Sequence, residues 1–312
     1  MKVCFIGTGS IGQRHILNLS TVCSENNHDL EIHLLRSSTK PLPNDFSKYK
    51  HVYCDNKLDT YYDAIFVTNP THLHYACIKK YKNLSKHFFI EKPLFADPQA
   101  DIDDLRLPME NKYYIACPLR YTRVLASARN LLKHREVFCA SAISSSYLPG
   151  WRPNTDYTKS YSARHEQGGG VRLDLIHELD YLIDMFGFPG EVSAMCGKYS
   201  TLHINSEDLA LYILRYPEKL VSIHLDYFGR QPLRCLTLYT EDSTLVYDII
   251  SSTVQENGVL TQCFNEDPNK KYLREMQNFY NIVVHNHASN NTLENSLRVL
   301  RIASCTNRKL GD

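Results

Sequence analysis

The segment Gly7-Thr8-Gly9-Ser10-Ile11-Gly12 follows directly on the apolar run Val3 to Ile6, and its glycine spacing suits one task. Gly7 permits a tight turn out of a strand, Gly9 lets backbone approach a pyrophosphate, and Gly12 lets a helix pack closely on that strand. A helix opening at Ser10 and Ile11 would turn its first N–H groups, and the positive end of its dipole, toward the phosphates. The residue that selects the cofactor lies about 20 residues further on, where a carboxylate would bind the ribose 2′-hydroxyl of NAD. This chain has Arg36-Ser37-Ser38 there. A guanidinium followed by two hydroxyls suits a 2′-phosphate, so NADP(H) is expected in preference to NAD(H). Arg36 as a solvated loop residue stacked on adenine would leave NAD(H) open.

Two further groups of residues carry proton chemistry. Lys92 follows the apolar run Phe88 to Ile90, at the end of a strand where α/β sheets bind ligands. An ammonium there can bond a substrate oxygen and stabilise the alkoxide-like charge that develops as hydride leaves or arrives. Later, behind Gly168-Gly169-Gly170, the helical periodicity puts Asp174, His177, Glu178 and Tyr181 on one face and Leu175, Leu179, Leu182 and Phe186 on another. An imidazole titrating near neutrality can take a hydroxyl proton and return it, and a neighbouring carboxylate would fix its tautomer. His177 is therefore the expected general acid/base and Asp174 its partner, with Glu178 or Asp180 able to share that role. Between these groups, Tyr147 to Gln167 holds Trp151, Arg152, Tyr157, Tyr161 and Arg164 with little apolar periodicity. Such a loop suits either a clamp on a polyhydroxylated or anionic substrate, or an oligomer contact. Arg120 and Tyr121 are further candidates for the cleft, as is Glu178.

The elements that must position these residues fall into two textures. Up to about Cys117, short apolar runs (Val3 to Ile6, Glu31 to Leu35, Ala64 to Thr68, Phe88 to Ile90) alternate with helical stretches such as Thr71 to Tyr81, which predicts a doubly wound parallel sheet of Rossmann type. Beyond it, period-two alternation dominates in Val137 to Ser145, Leu209 to Tyr216, Val221 to Tyr227, Leu233 to Tyr239 and Thr244 to Ile250. Tyr216-Pro217-Glu218-Lys219 reads as a hairpin turn, and Tyr272 to Val284 and Leu293 to Ile302 as closing helices. The expected fold is α/β followed by α+β: a nucleotide domain over 1–118, then a substrate, catalytic and oligomerisation domain over 119–312, a mostly antiparallel sheet packed with helices.

Composition narrows the partners. A chain of 312 residues suits two cores, and 43% hydrophobic with 22% charged residues is ordinary for a folded protein. A formal net charge of +1 gives no electrostatic footprint for nucleic acid or an anionic membrane surface. The 10 cysteines form no CxxC, which argues against a zinc site and a disulfide framework and for reduced thiols. The opening Met1-Lys2-Val3-Cys4-Phe5-Ile6-Gly7 leaves no room for a signal peptide, and no stretch approaches a membrane span, so a cytoplasmic location is expected.

Several motifs in one order resemble those of the glucose-fructose oxidoreductase / inositol dehydrogenase / MocA (Gfo/Idh/MocA) family along essentially the whole chain. Thr68-Asn69-Pro70-Thr71-His72-Leu73-His74 is similar to the strand-end segment that covers the nicotinamide, Glu91-Lys92-Pro93 to the EKP signature, and Gly168 to Asp180 to the glycine-led helix carrying an Asp and a His. The resemblance implies a cofactor site including Thr68, Asn69, Pro70, His74, Glu91 and Lys92, a catalytic lysine at Lys92, a carbohydrate-like alcohol or ketone as substrate, and a homodimer or homotetramer. Many members separate the Asp and the His by one more residue than Asp174 and His177 do. Asp156-Tyr157-x-x-Ser160-Tyr161-Ser162-Ala163 resembles members associated with surface-sugar and nonulosonic acid biosynthesis. Alternatives within the resemblance are a lyase or glycosidase that oxidises its substrate transiently and a nicotinamide-binding regulator without turnover.

Overall fold

The computed structural model describes residues 1–37, 39, 41–42, 46–53, 58 and 60–305. The chain divides into two compact units: Met1–Ala116 with Lys271–Leu297, and Cys117–Lys270 with Arg298–Asp312.

In the first unit β1 (Lys2–Ile6) runs into α1 (Ser10–Glu25), then β2 (Glu31–Arg36), β3 (Lys50–Tyr53), β4 (Ala64–Val67), α2 (His74–Tyr81), β5 (His87–Ile90) and β6 (Lys112–Ile115). All pairings are parallel, in the order β3-β2-β1-β4-β5-β6, the doubly wound arrangement predicted. The strands β1, β4 and β5 are buried nearly throughout, as a sheet covered on both faces requires.

Register explains a departure from the expected boundary at 118/119. Phe5, Phe66, Phe89 and Tyr114 are mutual partners along β1, β4, β5 and β6, so their rings form one aromatic row on one face. Phe5 stacks on Phe66 at 4.2 Å, and Phe279 meets Phe66 and Phe89 edge-on, at 5.3 Å from each. Phe279 comes from α6 (Lys270–Val284), late in the chain, whose buried Glu275 also accepts the Tyr114 hydroxyl at 3.1 Å. The helix returns because a row of this size, left in water, would forgo about 1.5–3 kcal/mol per ring.

The second unit opens with α3 (Arg123–Leu131) and β7 (Cys139–Tyr147), followed by α4 (Val171–Asp174), α5 (His177–Phe186), β8 (Glu191–Gly197), β9 (Leu209–Arg215), β10 (Leu220–Asp226), β11 (Phe228–Tyr239), β12 (Thr244–Asp248), β13 (Thr253–Glu256) and β14 (Val259–Cys263). These strands order as β14-β13-β12-β11-β7-β10-β9-β8, antiparallel except for the parallel pair β7 and β10. The hairpin at Tyr216 to Lys219 forms as predicted, with the Tyr216 N–H donating to the Lys219 carbonyl at 3.0 Å. Alternation buries Ala210, Tyr212 and Leu214 of β9 and Val221, Ile223 and Leu225 of β10, with α4 packed against both strands. The last helix, α7 (Leu293–Ser304), crosses the division between the units.

Candidate functional site

In the first unit the chemistry-bearing residues leave the sheet side by side. Ile6, Val67 and Ile90 lie at the carboxyl ends of adjacent strands, so Gly7, Thr68 and Glu91-Lys92 emerge along one edge. The Thr68 N–H donates to the Ile6 carbonyl and the Glu91 N–H to the Val67 carbonyl, each at 2.9 Å. Gly7 has φ +103, and a Cβ there would lie 2.6 Å from the Asn69 nitrogen. A Cβ on Gly12 would lie 2.5 Å from the Gly7 carbonyl oxygen. These two glycines are demanded by packing. Gly9 is different: its Cβ would meet nothing within 4 Å, so the space over it is open.

Gly9 is also the N-cap of the 16-residue α1, with no side chain capping it and no acidic residue in the first turn. Open space over an uncapped helix N-terminus fits the diphosphate of a dinucleotide, bonded by the backbone around Ser10, Ile11 and Gly12. A second observation agrees: the buried Oδ1 of Asn69, beside this turn, has no hydrogen-bond partner among the described residues. At the far end of the expected site Arg36 is not a solvated loop residue. It closes β2, 6% exposed, and donates from Nη1 to His51 Nδ1 at 3.2 Å. His51 Nε2–H in turn donates to the Phe46 carbonyl at 3.0 Å, which fixes the tautomer that accepts from Arg36. Ser37 follows, exposed, and Ser38 lies outside the described residues.

The remaining residues of this edge hold the loop that carries Lys92. Glu91 is buried and its Oε1 sits 2.5 Å from His15 Nε2 of α1, while its Oε2 accepts the Lys92 N–H at 3.2 Å. Burial alone would raise the Glu91 carboxyl; the His15 ring and the Lys92 charge outweigh it and hold the group below the ordinary value. Expected at the cofactor, Glu91 instead faces α1, because a buried carboxylate needs its donors close by. His74, fully buried, lies between the Asn69 carbonyl (Nε2, 2.9 Å) and the Leu94 carbonyl (Nδ1, 3.0 Å); burial favours its neutral form, whose single ring N–H donates to one of them while the ring packs against both strand-end loops. Pro70 is exposed and Lys92 half-buried.

In the second unit the single helix expected to carry Asp174 and His177 is two. Asp174 ends α4, Leu175 and Ile176 form a turn, and His177, half-buried, begins α5. The glycines before α4 are structural. A Cβ on Gly169 would lie 2.1 Å from the Tyr161 carbonyl oxygen, and Gly170, at φ +120, has the Glu207 carboxylate against it. The loop 161–164 therefore lies directly on the entry to α4. Tyr227 donates to Asp174 Oδ2 at 2.6 Å, and Tyr161 also bonds this carboxylate. Burial and then the Asp174 charge push both phenols well above the ordinary tyrosine range, so they remain donors.

Two expected ligand contacts are committed elsewhere. Glu178, 0% exposed, pairs with Arg234 (Nε to Oε1 2.8 Å, Nη2 to Oε2 3.2 Å). Arg120 is gripped by both oxygens of Asp180 at 2.7 and 2.8 Å and reaches Asp184 at 2.8 Å. Buried charges require such partners, so Glu178 and Asp180 serve the packing of α5. Tyr121 is half-buried beside Arg120 in the chain, and Arg164 is half-buried with its charge felt by Glu166. Trp151, Arg152, Tyr157 and Tyr161, by contrast, line one shallow pocket with Thr155 and Ser160. Sequence reasoning missed His15, Tyr227 and Arg234; Tyr227 directly follows β10, continues its alternation and reads there as one more core residue.

Comparison with known proteins agrees with this architecture. Residues 1–106 match the model of an oxidoreductase family with an NAD-binding Rossmann fold, and residues 142–230 match that family's C-terminal alpha/beta domain. No curated protein matches the chain. Among solved structures, a levoglucosan dehydrogenase in complex with NADH and levoglucosan is 14% identical, with a TM-score of 0.80 over 97% of this chain and 95% of that one. A UDP-N-acetylglucosamine 3-dehydrogenase from Acidithiobacillus ferrooxidans is 17% identical, TM-score 0.75, covering 97% of this chain and 95% of that one. An apo scyllo-inositol dehydrogenase from Lactobacillus casei is 18% identical, TM-score 0.72, over 97% and 94%. The two family models together take in more than half of the chain, and the protein belongs to the Gfo/Idh/MocA oxidoreductase family.

Proposed function

We propose that the protein is an NAD(P)-dependent dehydrogenase or reductase that acts on a CH–OH group, or the corresponding ketone, of a sugar-like small molecule. The observation that carries this reading is the open, uncapped start of α1 over Gly9, which fits a diphosphate. The similar structures named for levoglucosan, UDP-N-acetylglucosamine and scyllo-inositol support a polyol or sugar substrate. The bound nicotinamide supplies the hydride acceptor or donor. Lys92 holds the substrate oxygen and stabilises the charge that develops there. His177 takes the hydroxyl proton during oxidation and returns it during reduction. Asp174, at the end of α4, accepts from Tyr161 and Tyr227, which fixes its side chain in the second unit near the start of α5. Trp151, Arg152, Tyr157 and Tyr161 bind the substrate.

Arg36, held by His51 at the end of β2, and the exposed Ser37 support NADP(H) over NAD(H). Arg36→Glu should reverse the preference, read as the ratio of kcat/KM for the two cofactors; equal values in the wild type would remove it. The central test is a panel of sugars and polyols followed through nicotinamide absorbance, with His177→Ala alongside. That variant should lose about 10²–10⁴-fold in kcat while cofactor affinity is unchanged. Full turnover in the variant would remove His177 from the mechanism, and no absorbance change with any substrate would favour a non-catalytic role.

Two coarser properties complete the proposal. The described cysteines are all free thiols, which supports a reducing, cytoplasmic setting. No helix among the described residues is long and apolar enough to cross a membrane. On the open face of the second sheet Met195 and Leu211 are register partners, 68% and 39% exposed, with Ile213 beside them at 45%. A second copy of the chain would cover this apolar stripe, giving a homodimer or homotetramer; sedimentation of Leu211→Glu against wild type tests it.

A further inference from the structure

Past the glycine turn, α1 carries a histidine that the mechanism above does not use. His15 shares the buried face of the helix with Gly12 and is 0% exposed. Its Nε2 meets Glu91 Oε1 at 2.5 Å, and its ring is held edge-on by Phe89 at 4.7 Å and by Tyr272 at 6.2 Å. Its Nδ1 is buried without a hydrogen-bond partner among the described residues. For packing alone this is a poor choice. An orphaned ring nitrogen costs free energy, and a buried polar pair is often no more stabilising than apolar side chains of the same volume. The pair is better explained by what it holds.

What it holds is the start of the Lys92 loop. The Glu91 N–H still donates to a neighbouring strand, at the Val67 carbonyl, whereas the next N–H, that of Lys92, goes to Glu91 Oε2 at 3.2 Å. One carboxylate therefore has one oxygen on α1 and the other on the backbone of Lys92. Left to itself a glutamate side chain has several rotamers, and the bond to His15 selects one. The helix whose N-terminus is open to a diphosphate and the loop that carries the ammonium are thus joined by a short link, Nε2 to Oε1 and Oε2 to N–H.

We propose that His15 is a positioning residue, which through Glu91 fixes Lys92 relative to a dinucleotide bound at the start of α1. The proposal rests on the dehydrogenase reading for the task of Lys92, so it is tested with turnover and without it. His15→Leu removes the donor and keeps the bulk, whereas His15→Gln keeps a donor; thermal unfolding of each variant shows that it is folded. In His15→Leu kcat should fall about 10–100-fold while the dissociation constant of NADPH or NADH, whichever binds the wild type more tightly, changes less than about twofold. His15→Gln should recover part of the loss. The double variant with Glu91→Gln leaves no carboxylate buried without its partner, and it serves where His15→Leu alone does not fold. It should lose no more than His15→Leu, because the two residues form one link. Without turnover, acetic anhydride labels amines, and peptide mass spectrometry compares Lys92 with the exposed Lys86. Saturating dinucleotide should protect Lys92 in the wild type, and most of that protection should be lost in His15→Leu with Lys86 unchanged. Unchanged kcat and protection in a folded variant, or a loss of dinucleotide affinity as large as the loss of kcat, would overturn the proposal. Protection of Lys92 that depends on His15, in a protein that turns over no substrate, would instead remove the dehydrogenase reading and leave this one standing.

Discussion

The nucleotide edge of the first unit and the Asp174 region of the second are built on opposite principles. At the nucleotide edge the working groups are backbone N–H groups, placed by glycines five residues apart at most, and the space around Gly9 is empty. Around Asp174 the working groups are side chains, and each is held by a partner far along the chain: Tyr227 on Asp174, Arg234 on Glu178, Arg120 on Asp180. The first kind of site can lose a ligand contact and keep its fold. The second cannot lose a partner without leaving a buried charge exposed to nothing.

The largest effect should therefore come from Arg234→Ala, which leaves the Glu178 carboxylate buried without its cation. Loss of one partner of a buried pair costs about 3–5 kcal/mol, so urea unfolding should show a correspondingly lower midpoint. A change under about 1 kcal/mol would mean that water reaches Glu178 and that the contrast between the two regions is weaker than drawn.

Next come two glycine substitutions with opposite readouts. Gly169→Ala places a methyl 2.1 Å from the Tyr161 carbonyl oxygen, so loop 161–164 must move. Overpacking against backbone should cost about 3 kcal/mol, read again from urea unfolding. Gly9→Ala meets nothing in the fold, so stability should change by less than about 0.5 kcal/mol while dinucleotide affinity falls about tenfold or more. Destabilisation by Gly9→Ala, or unchanged nucleotide binding, would show that this glycine serves packing after all.

The same contrast sets what could be read from the sequence. The glycine turn, the parallel sheet and the buried run of β4 were legible because their signals lie within a few neighbouring residues. The alternation of β9 and β10 and the turn between them were legible for the same reason. The commitment of Arg120 and Glu178 was not, since their partners stand 60 and 56 residues away and any arginine or glutamate looks alike until it is paired. Nor does the periodicity of α6 reveal that it belongs with the first sheet, because the aromatic row it covers is assembled from β1, β4, β5 and β6. Strand β14 escaped notice because every residue in it is exposed, which leaves no alternation to detect. The break after Asp174 runs through an apolar pattern that continues across it, since Leu175, Leu179 and Leu182 are all buried.

Glu91 offers the smallest and most discriminating test, because it is a buried side-chain pair set inside the region otherwise built from backbone. Its carboxyl is held below the ordinary value of 4.5: burial opposes the charge, but His15 and Lys92 more than compensate. A folded-state value below the unfolded one means that the unfolded chain takes up the proton first as pH falls. The stabilisation is thus fully present above about pH 4.5 and disappears as pH drops through the lowered folded value. Glu91→Gln carries no titrating group, so its unfolding midpoint should fall less steeply than that of the wild type across the acid range, at some cost in stability near neutrality. Parallel acid profiles for the two proteins would mean that His15 and Lys92 do not stabilise the charge. The loop carrying Lys92 would then be held by the His74 ring between Asn69 and Leu94, and His74→Ala should disturb it more than Glu91→Gln does.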